Sequence, residues 1–325
     1  MAQLMSDKGL VTVFGGSGFI GRHVVRALLK RGWRVRAAVR RPDLAGFLQP
    51  LGMVGWVQPV QANLRYRWSV DRAVEGADAV VNLVAVLAES GRQRFDALHV
   101  FGARAVAEAT RKAGIERLVH VSAIGADPQS PSAYGRSKAG GEKAVFETLP
   151  QSTVMRPSIV FGPEDHFFNR FAEMARFSPV LPLVGGGESK FQPVFVGDVA
   201  TAIADAVEGK AKPATIYELG GPEQKSFREC MELMLAEIDR KRLLLPLPWP
   251  VASAAASVLQ YLPGKLLTPD QVAMLKSDNV VSEAAEREGR TLEGLGIDAT
   301  SLAAILSSYL VSYRPRGQFE RQRTA

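Results

Sequence analysis

The chain has 325 residues, of which 46% are hydrophobic and 22% charged. This globular mixture excludes a disordered or fibrous protein and suits about two domains. The net charge of +7 invites a nucleic-acid or membrane-surface reading, but residues 1–41 hold nine basic residues and one acid, and the rest hold 31 basic and 32 acidic. The excess belongs to one short N-terminal unit. No nucleic-acid-reading motif accompanies it, so no nucleic-acid partner is expected.

Leu10–Phe14 reads as a strand. Ile20, Val24, Ala27 and Leu28 share one face and predict a helix over 18–31. Strand-like runs follow at 35–39, 57–61, 79–84, 118–122 and 153–156. Helical stretches separate several of them, most clearly 95–113 and 133–149. Strands alternating with helices imply βαβ units and an α/β fold, a doubly wound parallel Rossmann sheet covered on both faces. After about Pro163 the pattern loosens into a smaller mixed α/β C-terminal lobe. Helices are expected there at 167–177, 199–208, 226–238 and 302–313, with turns at 185–187 and 220–222. The expected division is a dinucleotide-binding domain over 1–163, a lobe over 164–314 with the chain crossing back near 190–220, and a polar tail over 315–325.

The lone Cys230 cannot form an internal disulfide, which suits a reducing compartment. The opening residues are polar, so a secreted protein is not expected. The longest charge-free stretch, 243–264, carries Pro246, Pro248, Pro250 and Pro263. About 12 of its residues could form an unbroken helix, where a membrane span needs about 20. It reads as a helix packed on the lobe or as an interfacial helix against lipid, preceded by Arg240, Lys241 and Arg242. None of His23, His99, His120 and His166 has a metal-ligand spacing, so no metal is expected.

Gly15-Gly16-Ser17-Gly18-Phe19-Ile20-Gly21 joins the first strand to the first helix with G-x-x-G-x-x-G spacing. Glycine lets the turn tighten and lets backbone N–H groups reach a pyrophosphate. The helix N-terminus adds partial positive charge. Arg40 and Arg41 end the second strand, where an acid would hydrogen-bond the ribose 2′-OH of NAD. A guanidinium suits a 2′-phosphate, so NADP(H) is expected over NAD(H). Arg40 is the first candidate for that phosphate and Arg41 the second; either otherwise reads as solvated charge. Arg22, Arg26 and Lys30 form one stripe on the first helix, a solvated face or a docking strip.

Ser122 ends the fifth strand, and Tyr134 and Lys138 follow as Y-x-x-x-K. Residues i and i+4 share a helix face. A nearby ammonium makes a phenol a usable proton donor or acceptor, and a serine can orient a carbonyl.

Together these motifs resemble the extended short-chain dehydrogenase/reductase superfamily. So do Asn63-Leu64 after the third strand, Asn82-Leu83-Val84-Ala85 after the fourth, Arg156-Pro157-Ser158-Ile159-Val160-Phe161-Gly162-Pro163, and Val194-Phe195-Val196-Gly197-Asp198. The resemblance implies a cofactor held by Gly15, Ser17, Gly18, Phe19, Ile20, Gly21, Val84 and Ala85, with Asn63 and Leu64 at adenine. It implies that Ser122, Tyr134 and Lys138 serve catalysis or hold the ribose, and that Pro157 and Ile159 line the nicotinamide side. The superfamily often has Asp at position 63; Asn63 keeps the hydrogen bonding and drops the charge.

Within the superfamily, 161–171, 192–196, 134–143 and the proline-rich 244–250 are similar to the nucleotide-binding accessory subunit of respiratory complex I and its bacterial relatives. The similarity runs over nearly the whole chain. It implies NADPH held as a structural element, with Ser122, Tyr134 and Lys138 vestigial as a catalytic set. It also implies complex I subunits as partners and a peripheral place on the cytoplasmic side of the inner respiratory membrane, with 243–264 touching the membrane surface. The alternative is a soluble NADP-dependent reductase or epimerase/dehydratase, with Tyr134 as acid/base, Lys138 as its tuner and Ser122 as polariser. A redox-sensing binding module is a third reading.

Overall fold

The computed structural model describes residues 8–261, 267–315 and 317. Apart from Pro315 and Gly317, the expected polar tail lies outside the described residues, as do 262–264 of the apolar segment. Seven runs form one parallel sheet: β1 (Leu10–Phe14), β2 (Arg34–Val39), β3 (Val57–Gln61), β4 (Ala79–Asn82), β5 (Leu118–Val121), β6 (Thr153–Pro157) and β7 (Ile216–Leu219). Their order is β7-β6-β5-β4-β1-β2-β3. The winding reverses between β1 and β4, and such a switch point opens a crevice at the C-terminal strand ends. β4 and β5 are buried at every position, as befits parallel strands covered on both faces.

One helix layer comprises α1 (Phe19–Lys30) and α5 (Val196–Val207), which pack on each other, α5 also lying against β4, β5 and β6. The other comprises α2 (Arg67–Val74), α3 (Phe101–Lys112) and α4 (Ala133–Thr148). Phe14, Val80 and Leu118 of the sheet meet Val70, Ala103, Val106 and Val145 of these helices in one apolar core. This is the doubly wound α/β arrangement that the alternating pattern predicts. The expected helix over 95–113 begins with one turn of π-helix, Asp96–Val100, before α3. The compact unit built this way takes in the described residues up to Pro157, together with Val196–Leu219 and Ser282–Asp298.

Much of the N-terminal charge is matched inside this unit. Arg31 lies 2.7 Å from Asp205 and 3.3 Å from Glu208, and Lys8 lies 2.7 Å from Glu208. Arg36 donates to the carbonyls of Ala73 and Glu75 at the end of α2, at 2.8 and 2.7 Å. The expected stripe on α1 is only partly a solvated face. Arg26 and Lys30 are exposed, whereas the Arg22 guanidinium sits 4.8 Å from the centre of the Phe47 ring.

The second unit takes in the described residues of Ser158–Phe195, Gly220–Val281 and those from Ala299 onward. Phe161, Phe168, Phe191 and Phe227 gather in its core with Met231, Met234, Leu306 and Leu310. Asp165 pins the segment after Gly162: it accepts from the backbone N–H of Gly162, Phe167 and Asn169, and from the Tyr309 hydroxyl at 2.6 Å. The apolar segment departs from the expected single helix. Leu243–Leu247 forms a strand parallel to Val180–Val184, and a helix follows over Trp249–Leu259. Pro246 is tolerated because this strand pairs on one side only, so a missing N–H can face away. Ala252 and Ala256 bury the helix, while Val251 and Val258 stay exposed. Among the described residues no helix is long and apolar enough to cross a membrane.

Candidate functional site

The glycine loop is built for backbone rather than side chains. Gly15 has φ +80°, and its N–H donates to Ala38 O at 3.0 Å, tying the loop to β2. A Cβ on Gly21 would lie 2.2 Å from Gly15 O and 2.8 Å from Gly16 Cα. A Cβ on Gly16 would lie 3.1 Å from the Ala37 Cβ, and one on Gly18 3.2 Å from Gly15 O. No side chain caps α1 at Gly18, and its first turn carries no acid. Gly18 N–H turns back onto Gly15 O at 3.0 Å, and with no capping side chain and no acid beside it the loop and helix N-terminus make a cradle suited to an anion.

Around that cradle stand the ends of β2, β3 and β4. Arg40 is exposed and forms no ion pair with a described residue, while the Arg41 guanidinium is held by Asp43 at 2.7 Å. Asn63 Oδ1 accepts from the Arg65 N–H at 3.2 Å, closing a local turn, and Leu64 is buried beside Gly102. Val84 donates its N–H to Asn82 Oδ1 at 3.2 Å, and a Cβ on Gly15 would come within 3.4–3.5 Å of Leu83 and Val84. Ala85 is exposed. Asn82 Nδ2 donates to His120 Nδ1 at 3.2 Å, and burial, with the Lys138 charge, pushes the His120 ring down to about 3. His120 is thus a neutral core residue.

Ser122, Tyr134 and Lys138 are all buried in this unit. Ser132 caps α4 by accepting from the Gly135 N–H at 3.2 Å, and Tyr134 and Lys138 follow on the first turns. Lys138 Nζ donates to Val121 O at 2.8 Å, at the end of β5. Ser122 Oγ has no hydrogen-bond partner among the described residues. A buried hydroxyl left so calls for a ligand. Together with the glycine cradle, it fits the binding site of a dinucleotide. Pro157 is buried, and its carbonyl accepts from the Ile124 N–H at 3.1 Å; Ile159 belongs to the second unit and packs on its core. Among the described residues no cluster could hold a metal ion.

Burial pushes the Lys138 ammonium down to about 8, with Glu142 working the other way. Between about pH 8 and 10.5 the folded chain therefore binds fewer protons than the unfolded one. The buried charge costs stability below that window, and the cost fades as pH rises through it. Lys138→Met should make the apoprotein about 1–3 kcal/mol more stable at pH 7, with the gain shrinking toward pH 10. Denaturant unfolding at pH 7 and 9.5 measures this, and an equal gain at both pH values would contradict it.

Two groups here escape sequence reasoning. Arg156 on β6 grips Glu142 of α4 with two bonds, Nε–Oε1 at 2.8 Å and Nη2–Oε2 at 2.6 Å, and lies 3.6 Å from Glu218 of β7. Glu142 stands four residues after Lys138, so helical spacing alone could have flagged it. His99 accepts from the Val86 N–H at Nε2 (3.1 Å), and its Nδ1 lies 2.8 Å from Ser137 Oγ. Nothing in the sequence signals that, because the π-turn is what brings His99 inward.

The family model of the NAD dependent epimerase/dehydratase family matches residues 11–220. The Arabidopsis thaliana mitochondrial NADH dehydrogenase (ubiquinone) 1 alpha subcomplex subunit 9 is 34% identical over 96% of this chain and 80% of its own length. The Neurospora crassa NADH-ubiquinone oxidoreductase 40 kDa subunit is 29% identical over 95% of this chain and 80% of its own. Among solved structures, the Escherichia coli NADPH-dependent quinone oxidoreductase complexed with NADPH superposes with a TM-score of 0.72. It is 20% identical and covers 92% of this chain and 99% of that one, a likeness of fold. The fold is thus of the NAD(P)-binding kind. The glycine cradle, the switch-point crevice and the match over most of the chain lead to one conclusion: the chain belongs to the NAD dependent epimerase/dehydratase family.

Proposed function

We propose that this chain is an NADP(H)-binding accessory subunit of a proton-pumping NADH:quinone oxidoreductase, holding its nucleotide as a structural element. The observation that carries this is the similarity to the Arabidopsis thaliana subunit over 96% of the chain. Bound nucleotide would supply stability, since a ligand held only by the folded form shifts the folding equilibrium in proportion to the logarithm of its excess. The glycine loop and the N-terminus of α1 would hold the pyrophosphate, the N–H groups of Gly15 and Gly18 being already given to Ala38 O and Gly15 O, and Tyr134, Lys138 and the unpartnered Ser122 hydroxyl would take the nicotinamide ribose side. Val84, Ala85 and Pro157 would flank the nicotinamide, and Asn63 and Leu64 the adenine.

NADP(H) is preferred to NAD(H) on the strength of Arg40. It stands exposed at the end of β2 with no ion pair among the described residues and no acid in the place of an NAD-type carboxylate. Arg41 is the weaker candidate because Asp43 already holds its guanidinium. Partners would be other subunits of the same enzyme, at a peripheral place on the cytoplasmic side of the respiratory membrane. Membrane-surface contact would fall to 243–264, where Leu243, Leu245, Val251, Val258 and Tyr261 are exposed. The side chains of Arg240 and Arg242 are partly committed there, donating to the carbonyls of Tyr313 and Ala175. Native mass spectrometry of the respiratory enzyme from gentle detergent extracts tests the proposal. The expected result is this chain in equal ratio with the core subunits, carrying one NADPH. Arg40→Ala is expected to weaken NADPH binding about tenfold and leave NADH unchanged. A chain that never accompanies the respiratory enzyme ends this reading.

A further inference from the structure

The hydrogen bonds around His99 run in one direction. The Val86 amide can only donate, so His99 Nε2, 3.1 Å away, carries a lone pair and no proton. The ring proton therefore sits on Nδ1, which faces Ser137 Oγ at 2.8 Å. The Ser137 hydroxyl hydrogen is itself given to Tyr134 O at 2.7 Å, so its lone pair is free to accept from His99. The chain of bonds leads from the loop after β4, through the π-turn Asp96–Val100, to the first turn of α4. Burial and then the Lys138 charge push the ring down to about 3, which keeps it neutral across the physiological range.

Packing reinforces this placement. The His99 ring stands edge-to-face with Tyr134, centroids 5.5 Å apart and planes at 90°. Phe95 stacks on His99 at 5.4 Å and meets Tyr134 at 5.9 Å. α4 comes so close that a Cβ on Gly141 would lie 2.3 Å from His99 O. A helix-interior glycine costs roughly 0.5–1 kcal/mol relative to alanine, and this close approach is what it permits.

We propose that His99 is a positioning residue of the nucleotide site, an imidazole in its Nδ1–H form that fixes the Val84–Val86 loop against the Tyr134–Lys138 turn. The loop and the turn are the two walls assigned above to the nicotinamide end, so this inference rests on the nucleotide-binding reading. His99 is not itself assigned a contact with the nucleotide; packed on Tyr134 and bonded to Val86, it holds both walls at one spacing.

Long-range ¹H–¹⁵N spectra of protein labelled with ¹⁵N-histidine read the ring state directly, and the chain has only four histidines to resolve. The expected His99 pattern is a protonated Nδ1 and a bare Nε2, unchanged from pH 8 to pH 5.5. A proton on Nε2, or a titration within that range, overturns the proposal. The second measurement is NADPH release from wild type and from His99→Phe, which keeps an aromatic ring against Phe95 and Tyr134 but has neither nitrogen. Release is expected to be at least about tenfold faster in the variant. A variant that melts lower as apoprotein yet releases NADPH at the wild-type rate would show a purely structural role and also overturn it. The expected ring pattern in a wild-type protein that takes up no NADPH would instead mean that the nucleotide reading has failed.

Discussion

Gly21→Ala is expected to melt about 5–10 °C below wild type and to bind NADPH at least about 100-fold more weakly. The new methyl would lie 2.2 Å from Gly15 O and 2.8 Å from Gly16 Cα, and both neighbours are backbone. No rotamer change relieves such an overlap, so the loop itself must move away from α1. An overpacked site of this kind costs about 2–3 kcal/mol. The displaced N–H groups would lose charge-assisted bonds to a pyrophosphate, each worth about 1.5–3 kcal/mol. Gly18→Ala is the control: its methyl would sit 3.2 Å from the same oxygen, and a few tenths of an ångström relieve that. Melting curves with and without NADPH, and calorimetric titration, separate the two effects. Full affinity in Gly21→Ala would show that the loop does not hold the nucleotide.

The largest loss of stability is expected from Arg156→Met, about 3–5 kcal/mol. Arg156 lies between the carboxylates of Glu142 and Glu218, both largely buried, and its bidentate grip on Glu142 bridges β6 and α4. Removing the cation leaves two largely buried carboxylates without their counter-charge, Glu218 keeping, among the described residues, only the Ser282 N–H at 2.8 Å. Coulomb attraction is not the whole account. Replacing both partners often costs little, so the Arg156→Met, Glu142→Met double variant should lose much less than the two single variants combined. Chemical denaturation of the four proteins completes the cycle, and strict additivity would contradict the pairing.

Six of the seven strands of the parallel sheet were legible because each falls on a short run rich in β-branched or apolar residues, and helices such as α1 and α3 were legible because they carry a 3.6-residue stripe. Leu10–Phe14 and Val57–Gln61 fall where the alternation places them. The phosphate loop was legible for a different reason: only glycine fits a backbone this crowded, so Gly21 announces its own geometry. Four features were not, the first being β7, where Ile216-Tyr217-Glu218-Leu219 is only four residues long and is interrupted by a charge. The strand Leu243–Leu247 looked like the leader of a helix, because its pairing with Val180–Val184 is a tertiary event and Pro246 argues locally against strand. The Arg41–Asp43 pair carries no sequence signal, since a two-residue spacing announces no helix pair. The place of His99 depends on a π-turn and on Gly141, distant in sequence, allowing α4 to approach it. Periodicity finds surfaces that repeat, and such singular contacts do not repeat.

The first unit is discontinuous along the chain, and that bears on how the protein is made. When a ribosome has released the first 157 residues, six of the seven strands exist and α5 does not. The faces of β4, β5 and β6 that α5 covers then stand open to water, and Arg31 waits 174 residues for Asp205. Lys8 waits 200 residues for Glu208. Closure at such range is entropically slow, and the nascent half exposes apolar surface in the meantime. The unit is whole only after Ser282–Asp298 has emerged. A fragment stopped after β6 would carry most of the glycine cradle yet lack the layer that holds it folded, so nucleotide binding is expected only once Asp298 has been made.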